Sequence, residues 1–181
     1  LAETLYFLKK YEEALKHYVR LMTASPPFDQ LGRVYFQAGV IHYNEGKMQE
    51  AMGHLELAAR TRYDRALVYL WRAKVEIRQR RYDEALKLLE QALTARSKGG
   101  RGNPAQVRYY QGVAYLNMGR FDEAIPCLEG ALLFDLPRDR IFAQLGSATF
   151  RGARTLLGPN VSVHPGALLV EARILGAKGV P

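Results

Sequence analysis

Four eight-residue segments of the chain are versions of one another: YEEALKHY (11–18), MQEAMGHL (48–55), YDEALKLL (82–89) and FDEAIPCL (121–128). Their alanines, Ala14, Ala51, Ala85 and Ala124, lie 37, 34 and 39 residues apart. A period in the range of roughly 20–50 residues is the mark of a stacked architecture, in which one supersecondary unit covers the apolar face of the next. Within each segment the apolar or small residues fall three before, four after and seven after the alanine. They are Tyr11/Ala14/Tyr18/Leu21, Met48/Ala51/Leu55/Ala58, Tyr82/Ala85/Leu89/Ala92 and Phe121/Ala124/Leu128/Ala131. Steps of three and four residues put each set on one helical face. An alanine at the centre of that face lets a neighbouring helix approach closely.

A second helical segment precedes each of the last three copies: 32–46, 66–79 and 105–119. Each has a small residue near its middle, Gly39, Ala73 and Gly112. A mid-helix glycine costs about 1 kcal/mol against alanine, so two of them at matching places predict helix–helix contacts that a Cβ would obstruct. Gly46 and Gly119 stand where a left-handed turn residue is wanted between paired helices. Each unit is therefore expected to be a helix, a tight turn and a second helix, with no strand over residues 1–137.

The pattern running through Gly112, Tyr115, Phe121, Ala124, Leu128 and Ala131, with Pro26 and Pro137 near unit ends, resembles the tetratricopeptide repeat. The resemblance covers residues 1–137. It implies an all-α fold, a right-handed superhelical solenoid of stacked antiparallel helix pairs. The expected repeat domain spans 1–151, with units at about 1–28, 32–65, 66–99 and 105–137 and an extra helix at 138–151. The first unit lacks the start of its first helix. Glu76 stands where the pattern has an aromatic, and Arg72, one turn earlier, is its expected ion-pair partner. Pro126 lies inside a second helix, removes one backbone bond and is expected to bend it. TASPPFDQ (23–30) and the basic, Gly-rich ARSKGGRGNP (95–104) read as insertions, the latter ending in an N-cap, Asn103, and a first helical residue, Pro104.

Residues 152–181 form a tail that fits more than one structure. LGPNVSVHPGAL resembles the hexapeptide repeat of left-handed β-helix acyltransferases, but four hexads make little more than one coil. The same stretch reads as a helix starting at Pro165 and stopping at Gly176 that caps the stack, or as irregular chain.

Chemistry is sparse. Cys127 cannot form an internal disulfide, which points to the cytoplasm or another reducing compartment. The chain starts without Met, its first turn is amphipathic rather than a leader, and no apolar run approaches the roughly 18 residues of a membrane span. Membrane insertion is not expected. Cys127, His17 and His54 occupy one place in different units, and helices packed about 8–10 Å apart keep such side chains from sharing a metal. His42 and His164 fit no ligand spacing. Acid pairs such as Glu12-Glu13 and Asp83-Glu84 open helices, where the dipole favours them. GGRG lacks the Lys-Ser/Thr of a phosphate-binding loop. No catalytic residue, metal or cofactor is expected, and the chain reads as a non-enzyme.

The resemblance implies that first helices line a concave groove. Carried over by position, the partner-binding residues are Phe36, Val40, Tyr43 and Asn44 from the second unit. The third unit supplies Leu70, Trp71, Lys74 and Arg78, and the fourth Tyr109, Tyr110, Val113 and Asn117. The Lys/Asn/Arg clamp with which family members hold a terminal carboxylate is absent, because its places are taken mostly by Phe36, Val40, Leu67, Trp71 and Tyr110. Aromatic residues with a few cations suit a protein partner presenting an apolar or amphipathic, partly acidic segment, while several of the aromatics are expected to be internal packing. The expected role is a scaffold or adaptor in assembly of a multiprotein complex. Residues 60–108 hold 13 of the 26 basic residues and only 5 of the 18 acidic ones, which keeps nucleic acid as an alternative partner. Against RNA, the cations do not recur once per unit, as base-by-base reading requires. The tail leaves open a regulatory segment of a larger acyltransferase.

Overall fold

Four short turns set the architecture. A computed structural model describes residues 2–24, 30–61, 63–97, 103–132 and 138–157. In it, a residue with left-handed backbone separates the two helices of each pair: Lys9 (φ 59°), Gly46 (φ 81°), Arg80 (φ 62°) and Gly119 (φ 76°). These four are spaced like the four marker alanines. At each turn the next residue's N–H reaches back to a carbonyl of the first helix: Lys10 to Leu5, Lys47 to His42, Arg81 to Glu76, Arg120 to Tyr115, all at 2.9 Å. That bond satisfies a carbonyl the helix end would otherwise leave open. The carbonyls of Lys10, Lys47, Arg81 and Arg120 then accept from the N–H of Ala14, Ala51, Ala85 and Ala124, which starts the second helix.

Among the described residues the chain is helical: α1 (Ala2–Phe7), α2 (Tyr11–Met22), α3 (Leu31–Asn44), α4 (Met48–Arg60), α5 (Arg65–Arg78), α6 (Tyr82–Ser97), α7 (Pro104–Asn117), α8 (Phe121–Leu132) and α9 (Arg138–Leu157). The first helix of the first pair has 6 residues where α3, α5 and α7 each have 14, in line with the truncation read from the sequence. Helix α9 continues past residue 151, where the sequence reading ends it, and carries the buried Gly146. Helix α8 runs through Pro126, which is exposed. Both a β-coil and a capping helix in the tail fall on residues outside those described. None of the described helices is long and apolar enough to cross a membrane.

The chain divides into two compact units, Leu1–Gly102 and Asn103–Pro181. In the first, helices pair as α1/α2, α3/α4 and α5/α6, and successive pairs meet through α2/α3 and α4/α5. In the second, α8 packs on both α7 and α9. The marker alanines are 0% exposed in all four copies, and Leu55, Leu89 and Leu128 one turn later are equally covered. Burying such a leucine contributes about 2 kcal/mol. The glycines of the first helices receive them: a Cβ on Gly39 would lie 2.8 Å from Cγ of Leu55. This is a helical-repeat fold of antiparallel helix pairs, like that of tetratricopeptide repeats.

Two polar groups enter the first core. Tyr18 donates to Oε1 of Gln37 at 2.8 Å, and burial pushes its hydroxyl up to about 12, so it remains a donor. Glu76 is buried and pairs with Arg81, across the turn, rather than with Arg72. Arg72 instead reaches Glu56 of α4 at 3.5 Å. Side chains one turn apart on α5 share a face, but the nearest opposite charge lies on a neighbouring element in each case.

Candidate functional site

The first-helix positions read from the sequence separate into floor and surface. Leu70 has no exposed surface, Val40 has 2% and Phe36 8%, so these three lie within the first unit's interior. Leu70 is fully covered, whereas Trp71 beside it is half-buried and packs on the core around Phe36 and Val40. Tyr43, Trp71 and Lys74 are half-buried, and Asn44 and Arg78 are exposed.

Around Trp71 the aromatic rings form a wall. Phe36 and Tyr43 of α3 meet the indole edge-on, at centroid distances of 6.2 and 5.3 Å. Tyr63, outside the regular helices, packs on Phe36 at 5.3 Å and extends the wall. The sequence reading missed Tyr63, because it falls between repeats where helical spacing gives no signal. Edge-to-face pairs of this kind are worth about 0.5–1.5 kcal/mol beyond area burial.

Two cations lie on this wall. Nζ of Lys74 is 3.2 Å from the Trp71 ring centroid and 5.0 Å from that of Tyr43. Cζ of Arg78 lies 4.3 Å from the Tyr43 centroid, and its guanidinium donates to the Tyr43 carbonyl at 3.2 Å. Burial, reinforced by the Arg78 charge, lowers Lys74 to about 8. The ring faces offset part of that cost by their negative quadrupole.

In the second unit, the predicted residues all lie on α7. Tyr109 and Tyr110 are half-buried, with rings edge-to-face at 5.2 Å, and Tyr109 also packs on the core around Leu116 and Ile141. Val113 is half-buried. Asn117 is exposed, and its side-chain amide donates to the Val113 carbonyl at 2.7 Å.

A further cluster went unread. His42 of α3 stacks on His54 of α4 with centroids 5.2 Å apart and planes 6° from parallel, and Tyr35 stacks on His54 at 6.4 Å. The two histidines sit 12 residues apart on partner helices, a spacing with no ligand signature. No group of three or more His, Cys, Asp or Glu among the described residues is arranged to hold a metal ion. Cys127 is half-buried on α8, where burial raises its thiol above the ordinary value.

Residues 64–133 match the family model of the tetratricopeptide repeat. No curated protein matches the chain. Among solved structures, MamA residues 41 to the end from Desulfovibrio magneticus RS-1 is similar, with 17% identity, a TM-score of 0.73, and coverage of 98% of this chain and 92% of that one. A crystal structure of MamA is similar over 82% of each chain, with 18% identity and a TM-score of 0.66. A third, MamA MSR-1, has 24% identity and a TM-score of 0.62, covering 81% of this chain and 80% of that one. At these identities the likeness concerns the fold. The chain is similar to tetratricopeptide repeat proteins both in its matched repeats and in its architecture.

Proposed function

We propose that the protein is a non-catalytic scaffold that helps assemble a multiprotein complex by binding a partner's apolar or amphipathic, partly acidic segment on its first helices. The observation that carries this reading is the cluster of Tyr43, Trp71, Lys74 and Arg78, which combines half-buried rings with two cations on one surface of the first unit. Phe36 and Val40 belong to the core on which Tyr43 and Trp71 pack, Leu70 is fully buried, and Asn44 is exposed. Within the second unit taken by itself, α7 carries Tyr109, Tyr110, Val113 and Asn117, a surface of aromatic and polar character. Aromatic anchors dominate many interfaces, whereas exposed charge pairs give roughly 0–1 kcal/mol and fade with salt.

Affinity capture with and without nuclease, followed by titration of the recovered partner, tests the reading. Trp71→Ala is expected to weaken binding about thirty-fold, the equivalent of a 2 kcal/mol hot spot, with little salt dependence. Binding that survives Trp71→Ala and falls steeply with salt sinks the aromatic site. A partner lost on nuclease treatment favours RNA, the second reading, for which the basic excess in residues 60–108 speaks.

A further inference from the structure

The Lys74–Trp71 contact has a chemical consequence for what the site accepts, given the reading that this surface binds a protein segment. A cationic ligand finds the ring face already covered by the protein's own ammonium. An anion finds two cations, Lys74 and Arg78, one turn apart on α5 and both leaning toward Tyr43. The other nearby cation of α5, Arg72, is directed to Glu56 on α4.

We propose that Lys74 reads an acidic side chain of the partner by changing places. In the unbound protein its ammonium lies on Trp71. On binding, it leaves the ring to pair with a glutamate or aspartate carboxylate that Arg78 also contacts. An apolar side chain next to that carboxylate then takes the face of Trp71. The occupant is therefore a protein segment with an acidic residue adjacent to a leucine-like or aromatic one.

Three observations support this choice. The two neighbouring cations repel one another, and one carboxylate relieves both. Lys74 is half-buried and held well below an ordinary lysine by burial and by Arg78, so an anion that keeps it charged gains more than at an exposed site. Phe36 and Tyr43 meet the indole with ring planes nearly perpendicular to it, at 6.2 and 5.3 Å, whereas the ammonium 3.2 Å from the ring centroid ends a flexible side chain.

Trp71 is the sole tryptophan of the chain, so its emission reports on this contact without labelling. In the ligand-free protein, Lys74→Met is expected to change the emission. The wild type is expected to show a transition with a midpoint near pH 8 that the variant lacks. Identical emission and pH profiles in the two proteins overturn the proposal. The binding probe is a blocked hexapeptide alternating leucine and glutamate, compared with its glutamine counterpart. The wild type should prefer the glutamate peptide at least tenfold, and Lys74→Met should bind the two within about threefold, having lost one charge-assisted bond. Arg78→Gln, at an exposed position, should keep the fold and a reduced preference.

Full glutamate preference in Lys74→Met overturns the exchange while leaving the partner-binding surface intact. Binding of the glutamate peptide that Trp71→Ala leaves unchanged overturns the surface itself, and so does a wild type that binds neither peptide. A polyuridine strand that outcompetes the glutamate peptide, in a Lys74-dependent way, overturns the protein-segment assignment in favour of nucleic acid.

Discussion

The Cβ that Gly112 lacks would lie 2.5 Å from Cγ of Leu128. That one relationship explains why a glycine stands in the middle of α7 despite its cost there: the leucine of α8 occupies the space. Gly39 and Leu55 repeat it in the first unit, at 2.8 Å. A Cβ added to Gly53, inside α4, would meet nothing within 4 Å, so no neighbour requires a glycine there.

Alanine at these glycines is therefore expected to act in opposite directions. Gly53→Ala should stabilise by up to about 1 kcal/mol, the helix-propensity difference. Gly112→Ala should destabilise, because overpacking at about 1–3 kcal/mol outweighs the same gain. Urea midpoints of the two variants against the wild type make the comparison. Equal shifts for both would mean that Leu128 does not pack where the structure has it.

The left-handed turns give a second pair. Arg80 adopts φ 62° with a Cβ, where Gly119 adopts φ 76° without one. A left-handed residue with a Cβ costs roughly 1–2 kcal/mol, partly offset by the entropy that glycine loses on folding. Arg80→Gly should thus stabilise by about 0.5–1 kcal/mol, and Gly119→Ala should destabilise by about 1 kcal/mol. Thermal melts that rank the two variants in the reverse order would refute the shared turn geometry.

The His42–His54 stack predicts acid sensitivity. Burial, with the neighbouring His42, holds His54 below its ordinary value, and Glu50 opposes the shift. Tyr35 also stacks on it, at a centroid distance of 6.4 Å. A histidine whose folded pKa is lowered binds its proton later than the unfolded chain does. Below about pH 6.5 the unfolded state therefore takes up more protons, and stability falls as pH drops through that value toward the folded pKa. One proton limits the slope to about 1.4 kcal/mol per pH unit. His54→Phe should flatten the dependence of the urea midpoint between about pH 7 and 5. An unchanged slope would place the acid sensitivity elsewhere.

Much of the fold was legible because the chain repeats its own solution. The marker alanines, the leucines one turn on, the mid-helix glycines and the turn glycines recur at matching places, and local spacing alone assigns them to helix faces and turns. The resemblance, carried over by position, set Tyr43 on one first helix and Trp71, Lys74 and Arg78 on the next. Steps of three and four residues put the last three on one face of α5, and their contact with Tyr43 came only from packing. Position did not separate Leu70 and Val40, which are interior, from the residues beside them that keep surface.

The rest depended on which element lies opposite. Arg80 and Lys9 take left-handed backbone without a glycine, because the helix pair on either side imposes the turn on whatever residue occupies it. Arg72 meets Glu56 and leaves Glu76 to Arg81, because α4 and the α5–α6 turn bring those charges nearer than the intrahelical partner. His42 reaches His54, and Tyr63 reaches Phe36, across gaps in sequence that carry no periodic signal. Helical periodicity is a property of one segment and can be read along the chain. Depth of burial, ion-pair choice and ring contacts are properties of two segments at once, and only their packing decides them.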